Sequence, residues 1–129
     1  MKAVREQESG TRGEIRVHVK PRCGGDVMKE ARRTFEHLRM HRTKEHNAVL
    51  IFVATRSRRF AIVGDEGIHN KVGDAFWQAA RDAMSRRFAE GDIPGGIAAG
   101  VRCVGEKLRE HFPGGRWNDN ELSDNVTGG

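Results

Sequence analysis

The stretch AVLIFVA at positions 48–54 decides how the rest of the chain can fold. It is a continuous apolar run of strand length, and its Val, Ile and Phe residues favour an extended strand over a buried helix. A strand without polar positions must be covered on both of its faces. We therefore predict a central strand at 48–54, with other elements packed on both sides of it.

Two further strands are predicted beside this one. Residues 15–19 (IRVHV) alternate apolar and polar side chains, which is typical of a strand with one buried face. Residues 59–63 (RFAIV) follow the central run after a link of only four residues, and so short a link favours an antiparallel hairpin. A helix is predicted at 27–41 with Asp26 as its N-cap, and a helical crossover of this length makes the first two strands parallel.

Two helices are predicted in the second half of the chain, at 72–90 and 93–111. The first has an apolar stripe at helical spacing, so we expect it to pack against the sheet. Its expected core residues are Phe76, Ala79, Ala83 and Met84, with Trp77 packed on the stripe or beside it. Asp92 is the expected N-cap of the second. The sequence thus predicts an α/β fold with a short mixed β-sheet, built by one parallel crossover and one hairpin and flanked by helices.

Composition and charge limit the classes of protein that remain. The chain has 23 Lys and Arg residues and 18 Asp and Glu residues, which give a net charge of +5. The two signs are interleaved and the one dense basic group is RSRR at 56–59, so we expect a solvated basic surface and regard nucleic-acid binding as the weaker alternative.

We see no signal peptide and no run near the roughly 20 apolar residues of a membrane helix. Cys23 and Cys103 are expected as reduced thiols, with a disulfide as the less favoured alternative, so we expect a cytoplasmic protein.

The predicted topology gathers polar residues at one edge of the sheet. The starts of the first and second strands and the end of the third should lie side by side. The residues brought to this edge are Glu14, His46, Asn47, Asp65 and Glu66. Oxygen ligands suit a hard cation, so Glu14, Asp65 and Glu66, with Asn47, are a candidate site for a divalent metal. The competing interpretation is ordinary turn chemistry at Asp65, with Glu14 paired to Arg16 or Arg59.

Four segments of the sequence together resemble a known family. They are GEIRVHV (13–19), LRMHRTKEHNAVLIFVA (38–54), FAIVGDEGIH (60–69) and HFP with NELSD (111–124). This pattern resembles the TPM domain family, which includes thylakoid-lumen proteins linked to photosystem II repair, a nematode receptor-associated protein and many bacterial proteins. The resemblance implies an αβα sandwich at 14–124, between a short N-terminal segment (1–13) and a flexible tail (125–129). It also implies a divalent cation, often calcium, near an acidic loop cluster.

Three hypotheses for function remain open at this point. The first is a calcium-binding interaction module that helps to assemble a larger complex with a protein partner. The second is a metal-dependent hydrolase, because some plant members of the family that the chain resembles are described as acid phosphatases. The residues themselves contain no P-loop and no Cys-x5-Arg motif, so whether the protein is an enzyme stays open, with no catalytic residue assigned. The third is a basic nucleic-acid binder.

His41, His46 and His69 lack the spacing of a zinc site and are expected to be structural or exposed.

Many members of that family have an export signal and a C-terminal membrane helix, and this sequence shows neither. A periplasmic or lumenal role is therefore not expected. The sequence leaves the oligomeric state open.

Overall fold

The central strand β2 (Ala48–Ala54) is buried along its whole length, as predicted from its apolar run. The computed structural model describes residues 11–114 and 127–128. Side chains of β2 alternate between two cores, which explains why the strand has no polar position. Val49, Ile51 and Val53 join one core, while Leu50 and Phe52 join the other.

The sheet is mixed, and its order is β3-β2-β1-β4. β1 (Glu14–Lys20) runs parallel to β2, and β3 (Arg59–Gly64) runs antiparallel to it after the four-residue link. The predicted parallel crossover and hairpin are both confirmed. β4 (Thr127–Gly128) pairs with His18 and Val19 of β1, so two residues of the segment predicted as a flexible tail lie in the sheet.

Helices cover both faces of the sheet, which makes the αβα sandwich. α1 (Val27–His37) packs on one face, while α2 (Glu66–Ala89) and α3 (Ile93–His111) pack on the other. Asp26 caps α1 as predicted, since its carboxylate accepts hydrogen bonds from the backbone of Met28 and Lys29. Within the described residues, no helix is both long and apolar enough to cross a membrane.

The predicted end of α1 at residue 41 was wrong. The helix ends at His37, and Arg39 has a left-handed backbone with φ 59° that the helix cannot continue through. A short 3-10 helix, Met40–Arg42, follows and buries Met40.

The predicted start of α2 was also wrong, and of its four predicted core residues only Met84 is buried. The helix begins at Glu66 rather than at residue 72, and Gly73 interrupts it with φ 75°. Its fully buried residues are Ile68, Trp77, Ala80 and Met84. Phe76 and Ala83 are only half-buried, and Ala79 is exposed.

The position of Trp77 explains why a different face of α2 is buried from the one predicted. Its ring occupies the space that a side chain on Gly64 would need, because a Cβ there would lie 2.5 Å from the Trp77 ring. The indole Nε1 also donates a hydrogen bond to Nδ1 of His69, at 3.0 Å. The face of α2 that packs on the sheet therefore contains Trp77 and not Phe76.

α3 keeps its predicted bounds, and Asp92 caps it by accepting a hydrogen bond from Gly95 N–H at 2.8 Å. Gly96 and Gly100 allow a close approach to α2, since a Cβ at Gly100 would lie 2.5 Å from Sδ of Met84. Cys23 is buried and Cys103 is half-buried, and the two do not form a disulfide. The predicted domain, 14–124, extends into residues that lie outside the described part of the chain.

Candidate functional site

The edge predicted from topology is present in the backbone. Glu14 is the residue of β1 that pairs with Ala48, and its N–H approaches the carbonyl oxygen of Asn47 at 3.5 Å. On the other side, the N–H of Asp65 donates to the carbonyl oxygen of Ala48 at 3.0 Å. Glu14, Asn47 and Asp65 therefore surround the start of β2, and Glu66 follows directly.

The carboxylate of Asp65 has two contacts at this edge. Oδ1 accepts a hydrogen bond from Glu66 N–H at 2.8 Å, which caps α2. Oδ2 lies 3.2 Å from Nδ1 of His46, and only 14% of the Asp65 side chain is exposed. His46 itself has φ 50°, a left-handed conformation that is uncommon outside glycine. Asp65 thus ties the start of α2 to the loop that enters β2.

The other predicted ligands differ sharply in their exposure. Glu14 and Asn47 are buried, at 1% and 2% exposure, whereas Glu66 is exposed. Nδ2 of Asn47 donates to the carbonyl oxygen of Arg12 at 3.3 Å. Among the residues that the structure describes, no three His, Cys, Asp or Glu side chains come together as a group that could hold a metal ion.

The turn between β3 and α2 is shaped by close backbone packing. Gly67 has no room for a side chain, because a Cβ there would meet the carbonyl oxygens of Glu45 and His46. Ile68 N–H also approaches the carbonyl oxygen of His46 at 3.2 Å. The segment GDEGIH is therefore a helix start docked on the 45–46 loop. An Asp residue directly before a helix is a sequence signal for an N-cap, and Asp65 fits this signal.

One of the two arginines considered as a partner of Glu14 lies far from it. Arg59 cannot pair with Glu14, because the antiparallel direction of β3 places it opposite Ala54, at the other end of the sheet. A separate ion pair at this edge joins Arg12 and Glu45 at 2.7 Å, and this hydrogen bond lowers the pKa of the Glu45 carboxyl. Neither residue was singled out from sequence, because nothing in the local pattern marks a contact over 33 positions.

The three histidines considered as zinc ligands have separate environments. His46 contacts Asp65, and His69 accepts the hydrogen bond from Trp77. His41 is exposed on the short 3-10 helix.

The divalent cation implied by the resemblance does not find a ready coordination shell in these side chains. Asp65 is engaged by the helix cap and by His46, and Glu14 and Asn47 are buried. A cation at this edge would have to compete with His46 for Oδ2 of Asp65.

Comparison with known proteins agrees with this architecture. The family model for the TPM domain matches residues 1–107. The NMR structure of the BA42 protein from the psychrophilic bacterium Bizionia argentinensis has 37% identity and a TM-score of 0.89, over 99% of this chain and 88% of that one.

Two more distant structures share the fold. The N-terminal domain of a P. gingivalis protein has 21% identity and a TM-score of 0.71, over 89% of this chain and 76% of that one. The N-terminal domain of the cg2496 protein from Corynebacterium glutamicum has 18% identity and a TM-score of 0.65, over 83% and 67% of the two chains. The comparison with curated proteins gave no match. On the family match and the likeness to BA42, the chain belongs to the TPM domain family.

Proposed function

We propose that this TPM domain is an interaction module that binds a divalent cation, calcium, at the edge formed by Glu14, Asn47, Asp65 and Glu66. The observation that supports this is the backbone arrangement around Ala48. Glu14 pairs with Ala48 in the sheet, and Asp65 donates to its carbonyl oxygen. The backbone thus brings three segments that carry oxygen-bearing side chains to one edge, and a hard cation takes several oxygen ligands.

Binding requires side chains at this edge to rearrange, because Glu14 and Asn47 are buried and Glu66 is exposed. Oδ2 of Asp65 has to leave His46, at 3.2 Å, and turn to the cation. Glu66 is exposed and free to move towards it, while backbone carbonyls of the turn and water would supply the remaining oxygens. Because this set is small and Asp65 has to give up its contact with His46, we expect modest affinity, with a Kd on the order of 10⁻⁴ M or weaker.

A calcium titration followed by amide NMR signals tests the site. We expect shifts around residues 13–15, 46–47 and 64–67, and no change along the 72–90 face. Asp65→Asn is the matched control, because Asn still caps a helix while the carboxylate charge is lost. Shifts centred on Asp26 or Asp92, no shifts at all, or an unchanged response of Asp65→Asn would each contradict the site.

The hydrolase alternative has weaker support. Hydrolysis of a phosphate ester needs a nucleophile or an activated water, together with cations for the phosphoryl oxygens. Arg12, beside Asn47, is already engaged by Glu45 and by the carbonyl oxygen of Pro113. We expect slow turnover of a generic phosphate ester or none. Robust turnover that Asp65→Asn abolishes would favour the hydrolase over the binding module.

Partner and compartment belong to the same proposal. A protein partner is favoured over nucleic acid, because basic side chains such as Lys20 already have acidic partners, here Glu30 at 2.6 Å. Retention on DNA or RNA that falls steeply with salt would favour nucleic-acid binding.

The free thiols of Cys23 and Cys103 suit a reducing compartment such as the cytoplasm. An absence of titratable thiol in protein isolated and unfolded without reductant would contradict that location.

A further inference from the structure

A cleft of about 510 Å³ lies at the end of the sheet opposite Glu14 and Asp65. One wall is the hairpin tip between β2 and β3, and the other is the region where α2 gives way to α3. This is the carboxyl end of β2, which runs parallel to β1. The volume of the cleft is within the usual range for small-molecule sites.

The floor of the cleft is apolar. Val53 and Ala54 form its base, at 2% and 0% exposure. Phe60 and Phe88 line it as half-buried rings that meet edge to face, with centroids 5.1 Å apart. Two aromatic rings that keep part of their surface open to a cleft offer a packing surface for an apolar ligand group.

The rim of the cleft is cationic. Both charged residues in its described lining, Arg58 and Arg59, are arginines. Nη1 of Arg59 donates to the carbonyl oxygen of Gly25 at 2.6 Å, so this guanidinium is engaged just before α1, and Arg58 is the cation available to a ligand. The acid Asp92 lies next to two lining residues, but its carboxylate is turned to Gly95 N–H and Arg87. The described lining contains no acidic residue, so its charge is complementary to an anion.

Arg58 also has an unfavourable backbone. Its φ is 55°, in the left-handed region where a residue with a side chain is disfavoured by roughly 1–2 kcal/mol. Glycine would satisfy the same turn without that cost.

We propose that this cleft binds a small amphipathic anion, a molecule with a compact apolar body and one carboxylate head. The body packs on Phe60 and Phe88, and the carboxylate pairs with Arg58. This site is separate from the proposed calcium edge and does not depend on it.

The test compares three probes by amide NMR titration: octanoate, its neutral amide octanamide, and acetate. Octanoate should shift signals of residues 53–60 and 85–93. Octanamide lacks the charge and should bind about tenfold more weakly, since a charge-assisted contact with arginine is lost. Acetate lacks the apolar body and should not bind in the same concentration range. Equal binding of octanoate and octanamide, equal binding of acetate, or shifts outside the cleft would overturn the proposal.

Variants separate binding from folding. Arg58→Gln should weaken octanoate binding about tenfold. Arg58→Gly should do the same while raising the melting temperature, because it relieves the left-handed backbone. Arg56→Gln is the matched control, since Arg56 is exposed on the same hairpin tip but does not line the cleft. If both Arg58 variants bind octanoate as the unmodified protein does, or Arg56→Gln weakens binding equally, the assignment is wrong.

Discussion

Oδ2 of Asp65 lies 3.2 Å from Nδ1 of His46, and this contact joins the start of α2 to the loop that enters β2. The same carboxylate caps α2 through Oδ1. Asp65 is therefore both a structural residue and the acid through which the proposed calcium edge works. A substitution at Asp65 therefore affects both the packing of α2 and the proposed calcium site.

The docking of α2 on the 45–46 loop should be sensitive to one added methyl group. Gly67→Ala places a Cβ against the carbonyl oxygens of Glu45 and His46, and backbone cannot move away as a flexible side chain could. We expect a loss of about 1–3 kcal/mol in the free energy of unfolding, measured by urea denaturation. Gly24→Ala is the control, with no atom within 4 Å of the new Cβ, and should change stability by less than about 0.5 kcal/mol. Equal stabilities of the two variants would contradict this packing.

The buried face of α2 can be tested by comparing two neighbouring aromatic residues. Trp77 is 5% exposed and hydrogen-bonded to His69, whereas Phe76 is half-buried. Trp77→Ala should cost about 3–5 kcal/mol of unfolding free energy, and Phe76→Ala should cost about half as much or less. A larger loss for Phe76→Ala would restore the helix face that the sequence periodicity predicts.

Acid should weaken the fold through His18. Burial, and then the nearby charge of Lys20, lower the pKa of this imidazole, which stacks on Phe52. The unfolded chain therefore binds the proton more readily than the folded one. The contribution of His18 to stability is complete above about pH 6.5 and is lost as the pH falls towards the lower folded-state pKa.

An NMR titration of the His18 ring checks this direction. The midpoint should lie below the value of about 6.5 found in model peptides. Lys20→Gln should raise it, because a repelling charge is removed. The melting temperature of His18→Gln should fall less between pH 7 and pH 5.5 than that of the unmodified protein. A midpoint above the model-peptide value would reverse the sign and contradict the burial of His18.

Sequence patterns predicted the order and direction of the main strands because each depends on a local signal. The apolar run of β2 and the four-residue link to β3 are sufficient to bring Asp65 to the same edge as Glu14. The side-chain arrangement at that edge could not be predicted in the same way. Whether Asp65 points to a cation or to His46 depends on contacts between residues 19 positions apart.

The error in α2 has a similar origin. Its periodicity is compatible with two neighbouring faces, and the choice between them depends on a distant residue. Trp77 is selected because Gly64, on β3, leaves space for its ring. The cleft at the carboxyl end of β2 was missed for the same reason, since Phe60 and Phe88 meet only in the folded chain.

The most direct test of the calcium proposal is the calorimetric affinity of His46→Gly compared with the unmodified protein. Glycine adopts the left-handed backbone of position 46 without strain and removes the imidazole that holds Asp65. We expect calcium to bind about fivefold more tightly to the variant, which corresponds to roughly 1 kcal/mol for the lost competing contact. Unchanged or weaker binding by a variant that keeps its melting temperature, or no binding by either protein, would contradict the proposal that Asp65 is exchanged between His46 and the cation.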